Sequence, residues 1–272
     1  MKNPLVSAII LSYGGNRARE TVMCVSKLLD KDFLGGLEIL VVDNHSGDDS
    51  IGLIRNQLSK YDVRIIEAPK HLGYGKGNNF GVKYATGKYI LIINPDNILD
   101  STGLLSLVRA MEDDESIGIL APKLVYEDGT VRSSFRKFPR LFDVFIKRTF
   151  LKFFFQKRLR LYVGEGGVPK EETESDWIAG ACLLMRKDFY NYLGGFDPRF
   201  FLFFEDIDLC RRTWQAGKRV VFYPKVIAYD RKERLSEGGF ITLFTKWTVR
   251  RHVISAIKYF WKWRKGNKTI KQ

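Results

Sequence analysis

Residues 88–97 read Lys-Tyr-Ile-Leu-Ile-Ile-Asn-Pro-Asp-Asn, and this stretch decides the fold of the chain. The unbroken apolar run from Tyr89 to Ile93 predicts a strand that is buried on both faces of a parallel sheet. Pro95 cannot donate a hydrogen bond to a neighbouring strand, so the strand must end before it. Asp96 is therefore expected at the carboxyl end of a central strand, where open α/β sheets bind ligands and where a carboxylate can hold a divalent cation. A plain turn followed by a helix cap is the alternative interpretation of residues 94–97.

The residues before this strand alternate between apolar runs and helical patterns. Further strands are predicted at residues 5–13, 37–42 and 63–66, and helices are predicted through Leu29, through Leu58 and from the glycine-rich segment 71–79 to about Thr86. Strands that alternate with helices at this spacing form right-handed crossovers and a largely parallel sheet. Tyr13, Asp43 and Asp96 are then expected along one edge of that sheet.

Residues 71–79, His-Leu-Gly-Tyr-Gly-Lys-Gly-Asn-Asn, form a glycine-rich loop at the start of a predicted helix. Backbone N–H groups at a helix N-terminus suit a phosphate group, and Lys76 adds a positive charge. The spacing of Gly73, Gly75 and Gly77 matches neither the Rossmann fingerprint nor a P-loop. Because glycines also mark ordinary turns, the loop alone is a weak indication of phosphate binding.

The second half of the chain has fewer regular patterns. We predict a helix at residues 101–111, a buried strand at 117–122 and a single strand at 176–186, in which Gly180 and Ala181 permit close approach to the backbone. Residues 164–175 are interpreted as a mobile loop. A cluster of aromatic side chains, which we call the aromatic wall, comes next, in residues 200–208, Phe-Phe-Leu-Phe-Phe-Glu-Asp-Ile-Asp. It directly precedes a predicted helix that ends at Gly217.

Acidic residues open this predicted helix. Glu205 and Asp206 lie in its first turn, where the helix dipole favours carboxylates, and Asp208 can pair with Arg212 one turn later. Helix capping explains one acid, but it does not explain a pair beside a wall of aromatic side chains. Burial at this position would raise a carboxyl pKa towards the range that suits a general base.

The composition indicates one large globular α/β domain, because 272 residues with 45% hydrophobic content suffice for a full core. Cys24, Cys182 and Cys210 lie far apart and lack metal-ligand spacing, so buried thiols in a reducing compartment are expected. Residues 1–4 lead directly into a strand, and no apolar run approaches the roughly 20 residues that cross a bilayer. The protein is therefore expected in the cytoplasm.

The net charge of +14 is the unusual feature of the composition, and it suits nucleic acid, anionic lipid or an anionic substrate. Basic and aromatic residues concentrate at 142–162 and again after residue 246. One side of a C-terminal helix can be shared by Leu243, Trp247, Ile254, Ile257 and Trp261, with lysines and arginines on its other sides. This composition is typical of a segment that lies in a membrane interface. A helix that packs on the domain and keeps its lysines in solvent is the alternative.

The chain resembles the inverting nucleotide-sugar glycosyltransferases of family 2, which have the GT-A fold, and within them the bacterial rhamnosyltransferase-like enzymes. Matching blocks at residues 7–13, 41–50, 73–97 and 177–224 cover most of residues 5–230. The most specific block combines Gly-Gly-Phe-Asp-Pro at 194–198 with Phe-Phe-Glu-Asp-Ile-Asp-Leu-Cys at 203–210. The resemblance implies an α/β fold with a mixed, mainly parallel central sheet and helices on both faces.

The same resemblance implies a division of the chain. A GT-A domain would span residues 1–240, with the nucleotide-sugar-binding half at 1–100 and the acceptor half at 101–240. The remaining residues, 241–272, would form the basic amphipathic C-terminal helix, whose composition suits membrane association.

The resemblance also implies roles for individual residues. The donor nucleotide and its phosphates would contact Ser12, Tyr13, Asp43, Asn44, Gly75, Lys76, Asn94 and Asp96, with Tyr13 stacking on the nucleobase. Asp96 would carry the Mg²⁺ or Mn²⁺ ion that bridges the diphosphate. The acceptor pocket would be lined by Trp177, Gly180, Ala181 and Glu205, beside Asp206 as the catalytic base. This division suits the chemistry, because sugar transfer needs a cation at the leaving oxygens and a carboxylate that deprotonates the acceptor hydroxyl.

Two departures from the family pattern concern the metal. Asn94 stands where many members have a first aspartate, so a single carboxylate would hold the ion, and only with the donor present. Many members also have a histidine ligand after the strand that contains Pro224, where this chain has Tyr229 and Asp230. Either Asp230 substitutes as a metal ligand or the site lacks that ligand. The three histidines, His45, His71 and His252, are expected in surface or loop positions.

The expected function is metal-dependent, inverting transfer of rhamnose or another deoxyhexose from a dTDP- or UDP-linked donor. The acceptor would be a cell-surface glycan or a lipid-linked precursor, reached at the inner face of the membrane during polysaccharide or cell-wall biosynthesis. A sugar nucleotidyltransferase is the first alternative, since it also needs a parallel sheet, a glycine-rich loop and a metal-binding aspartate. A nucleic-acid-binding protein ranks last, because only the charge favours it and the sequence has no RNA-binding motif.

Overall fold

Strands and helices alternate through the chain, whose computed structural model describes residues 3–31, 33, 36–140, 168–231 and 247–264. The first half consists of β1 (Val6–Ser12), α1 (Asn16–Leu28), β2 (Leu37–Asp43), α2 (Ser50–Leu58), β3 (Val63–Glu67), α3 (Tyr74–Val82) and β4 (Tyr89–Ile93). The second half consists of α4 (Ser101–Asp113), β5 (Ile117–Tyr126), β6 (Phe135–Arg136), β7 (Thr173–Glu174), β8 (Trp177–Ile178), β9 (Cys182–Arg186), α5 (Lys187–Tyr192), α6 (Glu205–Gln215), β10 (Arg219–Asp230) and α7 (Trp247–Trp263).

Eight of the described strands form one mixed sheet in the order β3-β2-β1-β4-β9-β5-β10-β7. Strands β3, β2, β1 and β4 are parallel to one another, and β10 is parallel to β5. Strand β9 runs antiparallel to both β4 and β5, and β7 runs antiparallel to β10. Strands β6 and β8 pair in a separate small sheet. The predicted mixed and mainly parallel sheet is therefore confirmed.

Strand β4 lies between two hydrophobic cores, and every one of its residues is buried, as the unbroken apolar run predicts. Tyr89, Leu91 and Ile93 belong to the core that α1, α2 and α4 cover. Ile90 and Ile92 belong to the core on the other face, which includes residues of α3, α6 and α7. Helices thus cover both faces of the sheet, which explains why this strand carries no polar residue.

Several predicted element boundaries are wrong. Helix α3 ends at Val82 instead of near Thr86, because the N–H groups of Tyr84 and Ala85 bond to carbonyl groups three residues back. Strand β5 runs to Tyr126, past the predicted end at residue 122. The single strand predicted at 176–186 is two strands, β8 and β9, which belong to different sheets and are joined by a turn at residues 179–181.

Some expectations fall outside the described residues: the basic and aromatic segment at 142–162, Leu243, and residues 164–167 of the expected mobile loop. The remainder of that loop contains β7, which pairs with β10, so the loop interpretation is wrong at Thr173–Glu174. The domain boundary at residue 240 stays a prediction.

The cysteines and the helices of the described chain agree with the composition. Cys24, Cys182 and Cys210 are buried and free, as predicted. None of the helices in the described part of the chain combines the length and the apolar character that a bilayer crossing requires.

Candidate active site

The carboxyl ends of β1, β2 and β4 meet at one edge of the sheet. Ser12 and Asp43, the last residues of β1 and β2, are paired in register. Tyr13 and Asn44 follow directly, and Asp96 follows the end of β4. The buried Ser12 hydroxyl accepts a hydrogen bond from a threonine of α1. The predicted donor-binding residues of these strands therefore lie at a common edge, where α/β sheets bind ligands.

The Tyr13 side chain is 49% exposed and stacks on His71, with ring centroids 4.0 Å apart and an interplanar angle of 23°. His71 also contacts the ring of Phe201 edge to face at 5.0 Å. Burial, and the nearby His45, lower the pKa of the His71 imidazole, which favours the neutral ring in this stack. His71 covers one side of Tyr13, so a planar ligand has to stack on the opposite side.

Asp43 and Asn44 organise the loops behind this stack. The Asp43 carboxylate accepts hydrogen bonds from the backbone N–H and the hydroxyl of Ser46. The Asn44 side chain donates to the Gly73 carbonyl at 3.2 Å and accepts from the Leu72 N–H at 2.9 Å. Asn44 therefore fixes the glycine-rich loop in this structure, and its predicted contact with the donor stays a prediction.

The glycine-rich loop packs tightly against the segment that precedes α6. Gly73 has a positive φ of 80°, and a Cβ atom there would lie 2.3 Å from the carbonyl oxygen of Phe201. The N–H of Tyr74 donates to the same oxygen at 2.8 Å. Gly75 is buried in the first turn of α3, whereas Lys76 is exposed. Only glycine fits at position 73, which brings the N-terminus of α3 close to the acidic pair of α6.

The Asp96 carboxylate is held by an arginine of α1. Its Oδ2 atom accepts a hydrogen bond from Arg17 Nη1 at 2.7 Å, and the same nitrogen lies 2.6 Å from Glu20 Oε2. The Asp96 Oδ1 atom is buried and has no hydrogen-bond partner among the described residues. An orphaned buried carboxylate oxygen fits one ligand position of a Mg²⁺ or Mn²⁺ ion.

Asp230, the second predicted metal ligand, is engaged by protein groups. Its Oδ1 accepts a hydrogen bond from Asn97 at 2.8 Å, and its Oδ2 lies 2.5 Å from Arg132. In the described part of the chain, no three histidine, cysteine or acidic residues are arranged to hold a metal ion. The side chains present therefore fit an ion held by Asp96 as the protein carboxylate, with the remaining ligands supplied by other groups.

The turn at residues 179–181 connects the end of β4 with α6. The N–H of Asn94 donates to the Ala181 carbonyl at 2.8 Å, and the N–H of Gly180 donates to Asp206 Oδ2 at 3.1 Å. The Tyr74 hydroxyl donates to the Gly180 carbonyl. A Cβ atom on Gly180 would lie 3.3 Å from the Cβ of Asp206, so the predicted close approach to this backbone is present. One turn thus joins the segments that carry Asp96 and Asp206.

Trp177 lies on β8, shortly before this turn in the chain. Its side chain is buried, its indole N–H donates to the Lys137 carbonyl at 2.9 Å, and the guanidinium of Arg136 lies 5.6 Å from its ring. These contacts pack Trp177 against residues 136 and 137, and its predicted place in the acceptor pocket stays a prediction.

The acidic pair begins α6, as predicted. Glu205 is buried and its Oε2 atom has no hydrogen-bond partner among the described residues, while Asp206 is half-buried and its Oδ1 accepts from the Ile207 N–H at 2.8 Å. Burial raises the pKa of Glu205 well above its usual value, and the charge of Asp206 adds to the effect. Burial also raises the pKa of Asp206, against the hydrogen bonds from Gly180 and Ile207. Such a carboxylate suits a general base.

The Tyr74 phenol lies beside the turn at 179–181, where its hydroxyl donates to the Gly180 carbonyl. Burial raises the pKa of Tyr74 well above its usual value, and the charges of Glu205 and Asp206 raise it further. This pKa favours the protonated phenol, which can donate that hydrogen bond.

The stability of a Glu205→Gln variant should reveal the raised pKa of Glu205. At low pH the glutamate is protonated in the folded and unfolded states, so the two proteins should have similar Tm values. As the pH rises, Glu205 loses its proton in the unfolded wild type first, because its pKa is higher in the folded state. The free energy of unfolding of the wild type therefore falls between the unfolded-state pKa and the folded-state pKa. The Tm of Glu205→Gln should therefore exceed that of the wild type by a margin that grows from pH 5 to pH 8. Each kcal/mol of difference in the free energy of unfolding corresponds to about 2–4 °C in Tm.

The control for this measurement is Glu112→Gln, which changes an exposed glutamate paired with Lys88. Its Tm difference from the wild type should be much smaller than that of Glu205→Gln at pH 8, because an exposed ion pair contributes little to stability. A constant difference for Glu205→Gln would show that Glu205 is not destabilised by its burial.

Two phenylalanines immediately before the acidic pair have left-handed backbone conformations. Phe203 has a φ of 69° and Phe204 a φ of 68°. Each such residue costs about 1–2 kcal/mol, so packing must hold the segment in place. Helix α7 supplies that packing: the His252 ring lies 5.2 Å from both phenylalanine rings, and the Ser255 hydroxyl donates to the Leu202 carbonyl at 2.8 Å.

Asp208 fastens α7 to α6. Its side chain is fully buried, and the predicted pair with Arg212 is present at 2.8 Å. Two groups of α7 reach its other oxygen, Oδ1: Lys262 Nζ at 2.5 Å and the indole N–H of Trp263 at 3.0 Å. Asp208 therefore holds the C-terminal helix in register with the helix that carries Asp206.

Sequence reasoning missed several residues of this site. Arg17 and His71 are single polar residues in a helix and a loop, and no spacing rule links them to Asp96 or Tyr13. The left-handed Phe203 and Phe204 have no sequence signal, because glycine is the residue that indicates positive φ.

Two curated relatives are rhamnosyltransferases. The N-acetylglucosaminyl-diphospho-decaprenol L-rhamnosyltransferase of Mycobacterium tuberculosis (strain ATCC 25618 / H37Rv) is 26% identical over 200 residues, which are 69% of this chain and 64% of that protein. Rhamnosyltransferase WbbL of Escherichia coli (strain K12) is 29% identical over 199 residues, which are 69% of this chain and 69% of that protein. This chain therefore spans slightly less than two thirds of its mycobacterial relative.

Solved structures of glycosyltransferases share the fold. The mannosyltransferase PcManGT from Pyrobaculum calidifontis, in complex with GDP-Man and Mn²⁺, has a TM-score of 0.62 at 18% identity, over 98% of this chain and 66% of that chain. GalNAc-T7 with UDP, GalNAc and Mn²⁺ has a TM-score of 0.63 at 17% identity, over 85% of this chain and 44% of that chain. At these identities the likeness establishes the fold alone, and the GT-A fold is confirmed.

A family model described as Glycosyl transferase family 2 matches residues 7–191. The matched region contains the strand ends with Tyr13, Asp43 and Asp96, the glycine-rich loop, and the turn at Gly180. It covers more than half of the 272 residues, and the resemblance inferred from the motifs is confirmed. The chain belongs to glycosyl transferase family 2.

Proposed function

We propose that this protein is a metal-dependent, inverting transferase that moves rhamnose or another deoxyhexose from a nucleoside diphosphate to an acceptor hydroxyl. The observation that carries the proposal is the turn at residues 179–181, which contacts both Asn94 at the end of β4 and Asp206 on α6. This contact supports the proposal that the general base and the diphosphate site face one cleft. The two rhamnosyltransferase relatives support the class of sugar.

The acceptor is proposed to be a surface glycan or a lipid-linked precursor at the cytoplasmic face of the membrane. The mycobacterial relative is named for an N-acetylglucosaminyl-diphospho-decaprenol acceptor, which supports a polyprenyl-diphosphate-linked sugar. Membership of a glycosyl transferase family favours sugar transfer over the nucleotidyltransferase and nucleic-acid-binding alternatives.

The donor is bound at the strand ends. The nucleobase stacks on the side of Tyr13 that His71 leaves open, and Asp43 accepts hydrogen bonds from the ribose. The diphosphate lies near Asp96, within reach of the N-terminus of α3 and the charge of Lys76. Asp96 would hold Mg²⁺ or Mn²⁺ through its unpartnered oxygen, and the bound ion would neutralise the leaving diphosphate. Mn²⁺ is present in the structures of PcManGT and GalNAc-T7, which supports this assignment.

Asp206 acts on the acceptor side of the cleft. The acceptor hydroxyl forms a bond to the anomeric carbon while the bond from that carbon to the diphosphate breaks, and Asp206 takes the hydroxyl proton. The hydrogen bonds from Gly180 and Ile207 orient the carboxylate for this transfer. A single displacement of this kind inverts the anomeric configuration.

Donor binding can be tested by thermal denaturation with a set of nucleoside diphosphate sugars, with and without Mn²⁺. We expect dTDP- or UDP-linked sugars to raise Tm in the presence of Mn²⁺. At 100 times its Kd a ligand adds about 2.7 kcal/mol, which corresponds to about 5–10 °C at this chain length. The effect should be lost in Asp96→Asn and reduced in Tyr13→Ala.

An Asp188→Asn variant is the control, since Asp188 is an exposed residue of α5 and should leave the ligand effect unchanged. Stabilisation by a nucleoside triphosphate with a sugar 1-phosphate, but by no nucleoside diphosphate sugar, would support the nucleotidyltransferase alternative. The absence of any effect from every nucleoside diphosphate sugar would refute the proposed donor.

A further inference from the structure

Helix α7 exposes a row of large apolar side chains to solvent, which we call its outer face. The exposed fractions of its members are 42% for Trp247, 42% for Ile254, 64% for Ile257 and 60% for Trp261. Spacings of three, four and seven residues place these side chains on one side of the helix. The opposite side is buried, with Val249, Ser255, Ala256 and Tyr259 against the domain. A helix that is already docked normally turns polar residues to solvent, so this apolar row needs a partner.

The charges around the outer face are all positive. Residues 247–264 contain no acidic residue, and their basic residues include Arg250, Arg251, Lys258 and Arg264. The remaining lysine, Lys262, pairs with Asp197 and Asp208 of the domain. The guanidinium of Arg251 lies 4.9 Å from the Trp247 ring, and that of Arg264 lies 4.5 Å from the Trp261 ring. Arg250 is exposed on the same side of the helix. The partner should therefore combine an apolar layer with negative charge.

A phospholipid surface has both properties, and a second copy of this chain does not. Pairing two outer faces would bring two acid-free, basic helices together, which like-charge repulsion opposes. Tryptophan and isoleucine beside arginine are typical of helices that lie in a membrane interface, with the apolar side among the acyl chains and the cations at lipid phosphates. We propose that the outer face of α7 docks onto an anionic phospholipid bilayer, with the helix parallel to the membrane plane.

Two residues at the edge of the outer face relate this membrane contact to the candidate active site. The Trp247 ring meets Phe201 at 5.5 Å, and Phe201 is the residue that contacts His71 beside Tyr13. The Lys258 amine donates to the Arg199 carbonyl at 2.9 Å, in the same segment before α6. Docking would therefore place the membrane next to the segment that leads to Asp206. The inference deepens the proposed function, because a lipid-linked acceptor would reach the base from that surface.

Vesicle flotation tests the docking without any substrate. The purified full chain is mixed with vesicles of phosphatidylcholine alone, or with about 30% phosphatidylglycerol, in about 0.1 M salt. We expect the protein to float with the anionic vesicles and to remain behind with the neutral ones. An Ile257→Ser and Trp261→Ser double variant should lower partitioning at least about tenfold, because both side chains lose apolar surface that the bilayer would bury.

Tyr192→Ser is the matched control, since Tyr192 is a 77% exposed aromatic residue on α5. This variant should float like the wild type. Both variants should keep the wild-type Tm, because the substituted side chains are largely exposed, and this agreement separates lost docking from lost folding.

The proposal would be overturned by no flotation with anionic vesicles, by equal flotation with neutral ones, or by unchanged flotation of the double variant. A dimer in sedimentation velocity that the double variant loses would assign the outer face to self-association instead, and would also overturn it. Flotation as expected, together with no thermal effect of any nucleotide sugar, would leave the docking surface established and refute the proposed donor. The two proposals can therefore fail separately.

Discussion

Asp206→Asn should lower kcat for sugar transfer about 10²–10⁴-fold, the range in which a positioned general base contributes. Asparagine can still accept the N–H of Gly180 or of Ile207, so the turn at 179–181 should keep its position. The proposed donor site is at the ends of β1, β2 and β4, away from this substitution, so the donor should bind with an unchanged Kd. Transfer is measured as acceptor-dependent release of nucleoside diphosphate, and donor binding by titration calorimetry. The loss should therefore appear in kcat and kcat/KM together.

The comparison variant is Asp188→Asn, which makes the same chemical change at an exposed position of α5. It should transfer sugar at the wild-type rate. Residual activity of Asp206→Asn within about fivefold of wild type would exclude Asp206 as the base, because that loss lies far below the contribution of general-base catalysis. Loss of donor binding in the same variant would mean that the substitution distorts the nucleotide site.

Asp208→Asn should destabilise the protein by about 3 kcal/mol, because one partner of a buried ion cluster is neutralised while Arg212 and Lys262 keep their charges. At this chain length the change corresponds to a Tm lower by about 6–12 °C. The protein would lose stability because the buried cations would lack a charged partner, and because α7 would be attached less strongly to α6. Chemical denaturation gives the free energy of unfolding directly.

A double variant identifies the source of that loss. Replacing Lys262 with methionine removes one of the cations, so Asp208→Asn with Lys262→Met should cost less than the sum of the two single changes. Glu112→Gln, which breaks an exposed pair with Lys88, should change stability by less than about 1 kcal/mol. Strict additivity in the double variant would show that Asp208 and Lys262 do not interact energetically.

The donor edge of this fold was predictable because its signals are local. An apolar run without alternation marks a strand buried on both faces, and Pro95 marks its end, so the position of Asp96 follows from neighbouring residues alone. The Glu205–Asp206 pair was predictable from its place in the first turn of a helix behind an aromatic wall. The resemblance to a family added the identity of the fold, which is confirmed, and the proposed roles of these residues.

The connections between distant segments were not predictable. Residues 176–186 read as one strand, yet the chain turns at Gly180 because its N–H bonds to Asp206, a residue far along the chain. Arg17 reaches Asp96 across the edge of the sheet, and no periodicity indicates that contact. The stack of His71 on Tyr13 likewise depends on how two loops meet. Such contacts arise from tertiary packing, to which a single sequence gives no spacing signal.

The left-handed Phe203 and Phe204 have a consequence for the order in which the protein becomes active during its synthesis. The N-terminal residues leave the ribosome first, so β1, β2 and β4 emerge before α6 and α7. The two phenylalanines are held by α7, which follows α6 and β10 in the chain. The segment that leads to Asp206 therefore reaches its left-handed conformation only after α7 has been synthesised and has packed against it.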